Sequence, residues 1–280
     1  GDDLDPAWTA EPRSGKRRAA APTISLDGDS NGNGDGNGNG DGNGNGDGNG
    51  DGATVSGTVA WVPDAPGADV LVVVGVVSDG SPRAIAVPAR EPGVAIEATT
   101  SYDATRALGH VTLDGARGRL LDVDAGELAA AWHLGHALIA AESLGAVEES
   151  LRRSIEYAKE RYTFGRAIGS YQAVKHALVE VLRRQENTRS LLYYAGWARK
   201  DAPEEFAVAA SAARSCAGGA LDFAARELIS VHGGIGATWE HDAPLFFRRA
   251  QLSRRLLGGT GDATDRVAGE LLGGARTAAA

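Results

Sequence analysis

Two kinds of hydrophobic spacing divide the chain. From Thr54 to Leu121 apolar residues come in short runs rich in Val, Ile and Thr, broken by Pro63, Asp79-Gly80, Pro88, Pro92-Gly93 and Asp114-Gly115. Branched side chains fit a pleated, half-buried surface, and turn residues at this density leave room only for short strands. The runs predict strands at 55–62, 70–77, 84–87, 94–98 and 110–113, with an earlier strand near Ala10 or Thr23, folded as a small antiparallel barrel or sandwich. Past Asp122 the spacing changes to that of helices, predicted at 128–159, 170–198, 204–231 and, with a break, 243–272. In the second, Tyr171, Val174, Leu178 and Leu182 share a face that Lys175, Arg183 and Arg184 avoid. Asp201-Ala202-Pro203-Glu204-Glu205 reads as a helix start, with a capping side chain, an early proline and acids near the positive end of the dipole. Four helices on short connections favour an antiparallel bundle, and the fold class is α+β. The expected domains are 1–122, with a disordered insertion at 28–52, then 123–272, then a flexible tail at 273–280.

Composition refines this picture in three places. Residues 28–52 contain only Gly, Asn, Asp and one Ser, so they have no apolar surface to bury and read as a flexible loop. Asp27, Asp29, Asn31 and Gly32 match the first half of a calcium-binding EF-hand loop, but position twelve of that frame is Gly38, where a bidentate Glu is needed. Most of the formal net charge of -9 belongs to this acidic stretch, and the rest of the chain is nearly balanced, which argues against a nucleic-acid partner. Cys216 is the only cysteine, so no internal disulfide forms and a cytoplasmic setting is expected. No apolar run approaches the roughly 20 residues that span a bilayer, so no membrane partner is expected. The chain has no methionine and begins with Gly1, which points to a fragment or a processed chain.

Candidate chemistry gathers in three short motifs: Arg161-Tyr-Thr-Phe164-Gly165, then Tyr171-Gln172, then His232-Gly233-Gly234-Ile235-Gly236. A guanidinium pairs with a pyrophosphate, an aromatic ring lies against a flat cofactor, and bare glycines let backbone N–H groups approach an anion. Taken singly, each also has an ordinary reading. Arg161 fits a cap on the preceding helix, Phe164 a core residue, Gln172 a solvated helix start, and His232 a support for the Gly-Gly turn. Trp239 fits packing, and Glu240 with Arg248 fits a structural ion pair.

In order and at these separations the motifs resemble the acyl-CoA dehydrogenase family. The β region is similar to that family's middle domain through Gly57, Trp61-Val62-Pro63-Asp64, Ala68-Asp69, Pro92-Gly93-Val94, Asp103-Ala-Thr105-Arg106 and Val111. Together with His232 to His241, these residues resemble the branch found in bacterial steroid side-chain catabolism. Similarity covers roughly 54–272, and the family's N-terminal helical domain has no counterpart in it. The resemblance implies FAD-dependent α,β-dehydrogenation of a CoA thioester, and its steroid branch implies a bulky or steroid-derived acyl group. It places Arg161 on the FAD pyrophosphate across a subunit interface, Phe164 on the cofactor, Gln172 near its adenosine, and Gly233 and Gly234 along the dinucleotide. It therefore implies a dimer or a dimer of dimers, of identical or different chains.

The proton-abstracting carboxylate departs from the family pattern. By resemblance it belongs either in the turn before the last helix, where this chain has Leu257-Gly258-Gly259-Thr260, or about seven turns before the Arg161 motif, where it has Gly135. Glu142, two turns beyond Gly135 on about the same face, is the acid left near the expected slot, although about 11 Å of helical rise separates the two. Two readings stay open: a complete dehydrogenase using Glu142, or a catalytically incomplete flavin-binding or partner subunit. Ser230 also replaces a usual Gln, and Pro63 a usual Thr or Ser.

Overall fold

The structure, a computed structural model, describes residues 21–26 and 52–278, so the acidic insertion up to residue 51, the EF-hand frame and the expected strand near Ala10 lie outside the described residues. The chain divides into two compact units. Residues 21–26, 52–99 and 107–128 belong to the first, and residues 100–106 and 129–278 to the second.

The first unit is a closed, mostly antiparallel barrel with one parallel pairing and one added strand. Its strands are β1 (Thr23–Leu26), β2 (Gly52–Pro63), β3 (Val70–Val76), β4 (Pro82–Pro88), β5 (Val94–Thr99) and β6 (Leu108–Leu120), in the order β2-β1-β3-β4-β6-β5. An additional pairing of β2 with β6 closes the ring, leaving β5 outside it. The other edge of β6 is shared: Leu108 to Leu113 face β5, and Arg119 and Leu120 face β4. Along β3 the pleat sends Leu71 and Val73 inward and leaves Val70 and Val72 exposed, as strand periodicity requires. Ile24, Val55, Ile85, Val87, Val111 and Leu113 fill the core. Register shifts in β2 coincide with Gly57 and with Trp61, whose φ of 57° puts a bulky residue in the left-handed region. The Trp61 backbone N–H donates to His110 Nδ1 at 3.4 Å, and the two rings meet edge to face.

The second unit is helical. Its elements are α1 (Ala125–Glu160), a hairpin of β7 (Tyr162–Thr163) and β8 (Arg166–Ala167), α2 (Gln172–Asp201), α3 (Phe206–His232), α4 (Ala243–Ser253) and α5 (Gly259–Ala278). The predicted break in the last helix is the turn between α4 and α5. α1 starts three residues earlier than its apolar pattern suggests, because Asp124 and Glu127 cap it reciprocally: Asp124 accepts from the Glu127 N–H at 2.8 Å and Glu127 from the Asp124 N–H at 2.9 Å. α3 is the most buried helix of the unit, with Ala209, Ala210, Ala213, Ala217, Ala220, Ala224 and Ala225 inside. Small side chains let the neighbouring helices approach closely. Arg214, also on α3, is fully buried and donates to the carbonyls of Ser253 and Leu256, satisfying the open end of α4. Burial pushes its guanidinium down to about 10, which still leaves it cationic at neutral pH.

Candidate functional site

The Arg161 motif folds as the β7–β8 hairpin. Its two-residue turn consists of Phe164 and Gly165 at φ 48° and 77°, the geometry of a primed hairpin turn whose twist suits the paired strands. Gly165 meets this demand without cost, but Phe164 does not. A bulky residue at positive φ is held at a cost of about 1–2 kcal/mol, and Phe164 recovers nothing by packing, since it is 94% exposed. Strain of this kind clusters where a residue serves something outside its own fold. Arg161, exposed, bases the hairpin: its N–H donates to Tyr157 at the end of α1, and its carbonyl accepts from Ile168. Tyr171 closes the hairpin from the other side through an O–H bond to the Thr163 carbonyl at 3.2 Å, while Arg166 stacks on its ring. Gln172 follows as the first residue of α2, exposed at the positive end of the helix.

Gly233 and Gly234 stand where α3 ends. Gly233 has φ 65°, and at neither glycine does any atom of the described residues, its chain neighbours aside, lie within 4 Å of where a Cβ would be. Positive φ explains the first, but neither backbone nor internal packing explains the second. The turn is fixed by His232, which bonds the Leu228 carbonyl through Nδ1 at 2.8 Å and stacks on Tyr157 with ring centres 4.3 Å apart. Tyr157 thus ties the hairpin at Arg161 to the glycine turn at 233–234. Arg161, Gly233 and Gly234 sit on the segments this joint holds, Phe164 projects from the hairpin tip, and Gln172 stands apart at the start of α2.

Glu142 lies apart, about 28 Å along α1 from Arg161. One of its oxygens accepts from Arg106 and the other from Arg249. Arg249 also donates from Nε to Asp103 at 2.6 Å. Burial pushes the Asp103 carboxyl up, but hydrogen bonds from Thr105 and Arg249 outweigh it and hold the group below its usual range. Sequence reasoning placed Asp103, Thr105 and Arg106 in one motif without finding Arg249, which only the fold brings to them.

Gly135 and Gly258 come to adjoining places. A Cβ at Gly135 would sit 2.6 Å from Leu257 Cδ1, and one at Gly258, where φ is 72°, would sit 2.8 Å from Asp262 Oδ2 and 3.3 Å from Trp132. His136, next to Gly135, bonds the Leu257 carbonyl through Nε2 at 3.0 Å. Leu257 itself has φ 51°. The space at both glycines is therefore taken by other side chains. The expected Glu240–Arg248 ion pair does not form, and Arg248 lies on the Trp239 ring instead. Among the described residues no cluster of His, Cys, Asp and Glu fits a metal ion, and no helix is long and apolar enough to cross a membrane.

Comparison with known proteins agrees with this fold. Residues 128–272, just over half of the chain, match the family described as "Acyl-CoA dehydrogenase, C-terminal domain". The chain is 43% identical to acyl-CoA dehydrogenase IpdE2 of Mycobacterium tuberculosis over 43% of its length and 36% of that protein's. It is 35% identical to acyl-CoA dehydrogenase FadE34 of the same organism over 77% of its length and 29% of that protein's. It thus spans about a third of the length of these relatives. A solved structure of a variant of the Tcur3481-Tcur3483 steroid ACAD superposes with a TM-score of 0.74 at 32% identity, covering 81% of this chain and 62% of that one. A barrel followed by this helical unit, with these matches across both, leaves one assignment: the chain belongs to the acyl-CoA dehydrogenase family.

Proposed function

We propose that the chain is the flavin-clasping subunit of an FAD-dependent acyl-CoA dehydrogenase assembly in the cytoplasm, acting on a bulky, steroid-type CoA thioester, with the proton acceptor supplied by another chain. The observation that carries this reading is the strained, exposed Phe164 at the tip of a hairpin based on Arg161. The chain gains nothing internally from that arrangement, and an aromatic face beside a guanidinium suits a dinucleotide held by a neighbouring protomer. Gly234, whose missing side chain no internal contact requires, gives the same dinucleotide room against the backbone. The two-chain name of the steroid ACAD it resembles supports different rather than identical partners.

The chemistry FAD would supply in such an assembly is hydride acceptance from the substrate β carbon. This chain's residues do the holding: Arg161 neutralises pyrophosphate charge, Phe164 covers the ring system or its linker, Gln172 hydrogen-bonds the adenosine portion, and Gly233 and Gly234 keep the path open. Removal of the α proton needs a carboxylate with a free lone pair aimed at carbon. Glu142 is ill suited to this task, because a guanidinium donates to each of its oxygens and holds the carboxylate in an ion pair. Positions 135 and 258 have no acid. The second reading, in which Glu142 is the base, remains the alternative to test.

Visible spectroscopy distinguishes them. The chain mixed with FAD and a base-bearing acyl-CoA dehydrogenase chain is expected to hold yellow flavin that bleaches with a steroid acyl-CoA, whereas the chain with FAD alone does not bleach. Phe164→Gly, which relieves the backbone strain, is expected to keep the fold and lose flavin retention. Glu142→Gln is expected to leave bleaching in place. Abolished bleaching in a variant that still folds and holds flavin would restore Glu142 as the base, and no flavin retention in any mixture would refute both readings.

A further inference from the structure

Arg248, on α4, is held between two exposed aromatic rings. Its guanidinium carbon lies 3.8 Å from the ring centre of Trp239 and 5.2 Å from that of Tyr102. Trp239 is 76% exposed and Tyr102 63%. Several arginines on these helices, among them Arg152, Arg183 and Arg189, are paired with a Glu three or four residues away. No carboxylate pairs with Arg248 among the described residues. Stacking fixes the plane of a guanidinium but leaves the N–H groups at its edge able to donate.

The platform is also rigidly built. Tyr102 precedes Asp103, which is fully buried and bonded to Arg249, the residue after Arg248. One ion pair thus brings Tyr102 over its neighbour's guanidinium. On the other side, Trp239 follows Thr238, whose Oγ1 donates to the Ile235 carbonyl at 2.8 Å. Neither aromatic ring is spent on the core, and both sit on backbone that internal bonds hold in place.

An exposed indole face beside an unneutralised, pre-oriented guanidinium edge matches a ligand that joins a flat heteroaromatic ring to phosphate. The ring stacks on Trp239 and a phosphate oxygen accepts from Arg248. We infer that Trp239, Arg248 and Tyr102 form a docking platform for the adenosine-phosphate end of a nucleotide. The inference rests on the proposed function for its choice of ligand, since both CoA and FAD carry such an end. The two sources share ring and phosphate chemistry and differ in where phosphate sits on the ribose.

Indole N–H resonances of the full chain labelled with 15N-tryptophan, assigned through Trp239→Phe, give the test, with no flavin or partner present. Adenosine 3′,5′-bisphosphate at millimolar concentration is expected to shift the Trp239 signal saturably. Arg248→Gln is expected to weaken the binding at least about tenfold, the size of one lost charged contact. Tighter binding of the bisphosphate than of ADP assigns the platform to CoA, and the reverse order assigns it to FAD and removes Gln172 from the adenosine. An absent shift, or an equal shift with inorganic phosphate alone, would overturn the inference. Because no redox step is read, that failure leaves the flavin-bleaching result standing, and a bleaching failure leaves the nucleotide result standing.

Discussion

Gly234 and Gly236 sit two residues apart in one turn, yet a methyl group would meet nothing at the first and the Ile229 carbonyl, 2.7 Å away, at the second. The sequence motif presents both as equivalent glycines. Only the folded backbone separates the one the turn needs from the one it does not. Gly234→Ala is accordingly expected to change stability by less than about 0.5 kcal/mol while lowering flavin retention in the assembly. Gly236→Ala, colliding with main chain, is expected to destabilise by about 1–3 kcal/mol. Urea titration with absorbance of bound flavin measures both, and a Gly234→Ala variant that loses stability but keeps flavin would remove this glycine from the cofactor path. Phe164 shows what the sequence hides at this scale. Its type was legible as a candidate aromatic, but its left-handed φ arises from hairpin closure and could not be read from the letters RYTFG.

Among the elements, legibility followed the strength of periodicity. The barrel strands and long helices stand near their expected positions, with most strands running longer because alternation fades at their ends before hydrogen bonding does. The apolar stripe expected on α2 is displaced: Leu182 is exposed, and the buried line runs through Val181, Gln185, Thr188, Ala195 and Ala198. Two polar residues on that line disguise it. Thr188 settles its hydroxyl on the Arg184 carbonyl at 2.8 Å, which is how a core position tolerates it. The short loop at 100–106 joins the helical unit for a similar reason, a long-range tie of Asp103 to Arg249 that no local pattern announces. Arg249→Leu leaves Asp103 buried with Thr105 as its remaining donor, and is expected to destabilise the helical unit by about 3–5 kcal/mol. Adding Asp103→Asn is expected to recover part of the loss, because the stranded charge is gone. Urea unfolding followed by far-ultraviolet circular dichroism checks the cycle, and strict additivity would show that the two side chains do not act as a pair.

At the scale of the molecule, pH acts through His136. Burial, only partly offset by its bond to the Leu257 carbonyl, pushes this imidazole from its usual 6.5 down to about 4. Between those values the unfolded chain binds the proton and the folded chain refuses it, so unfolding takes up a proton and acid promotes it. The contribution is fully present above pH 6.5 and is lost as pH falls toward 4. At about 1.4 kcal/mol per tenfold in proton affinity, the loss reaches about 3 kcal/mol. His241, also pushed down chiefly by burial, adds a slope of the same sign. His136→Gln keeps a donor for the Leu257 carbonyl without a titrating ring. It is expected to flatten the fall in melting temperature between pH 6.5 and 4 while leaving the slope from His241. The bond it preserves holds the turn between α4 and α5 against α1, where Gly135 and Gly258 adjoin. A full acid slope in His136→Gln would mean that the proton is taken up elsewhere, and that this joint is not what acid opens.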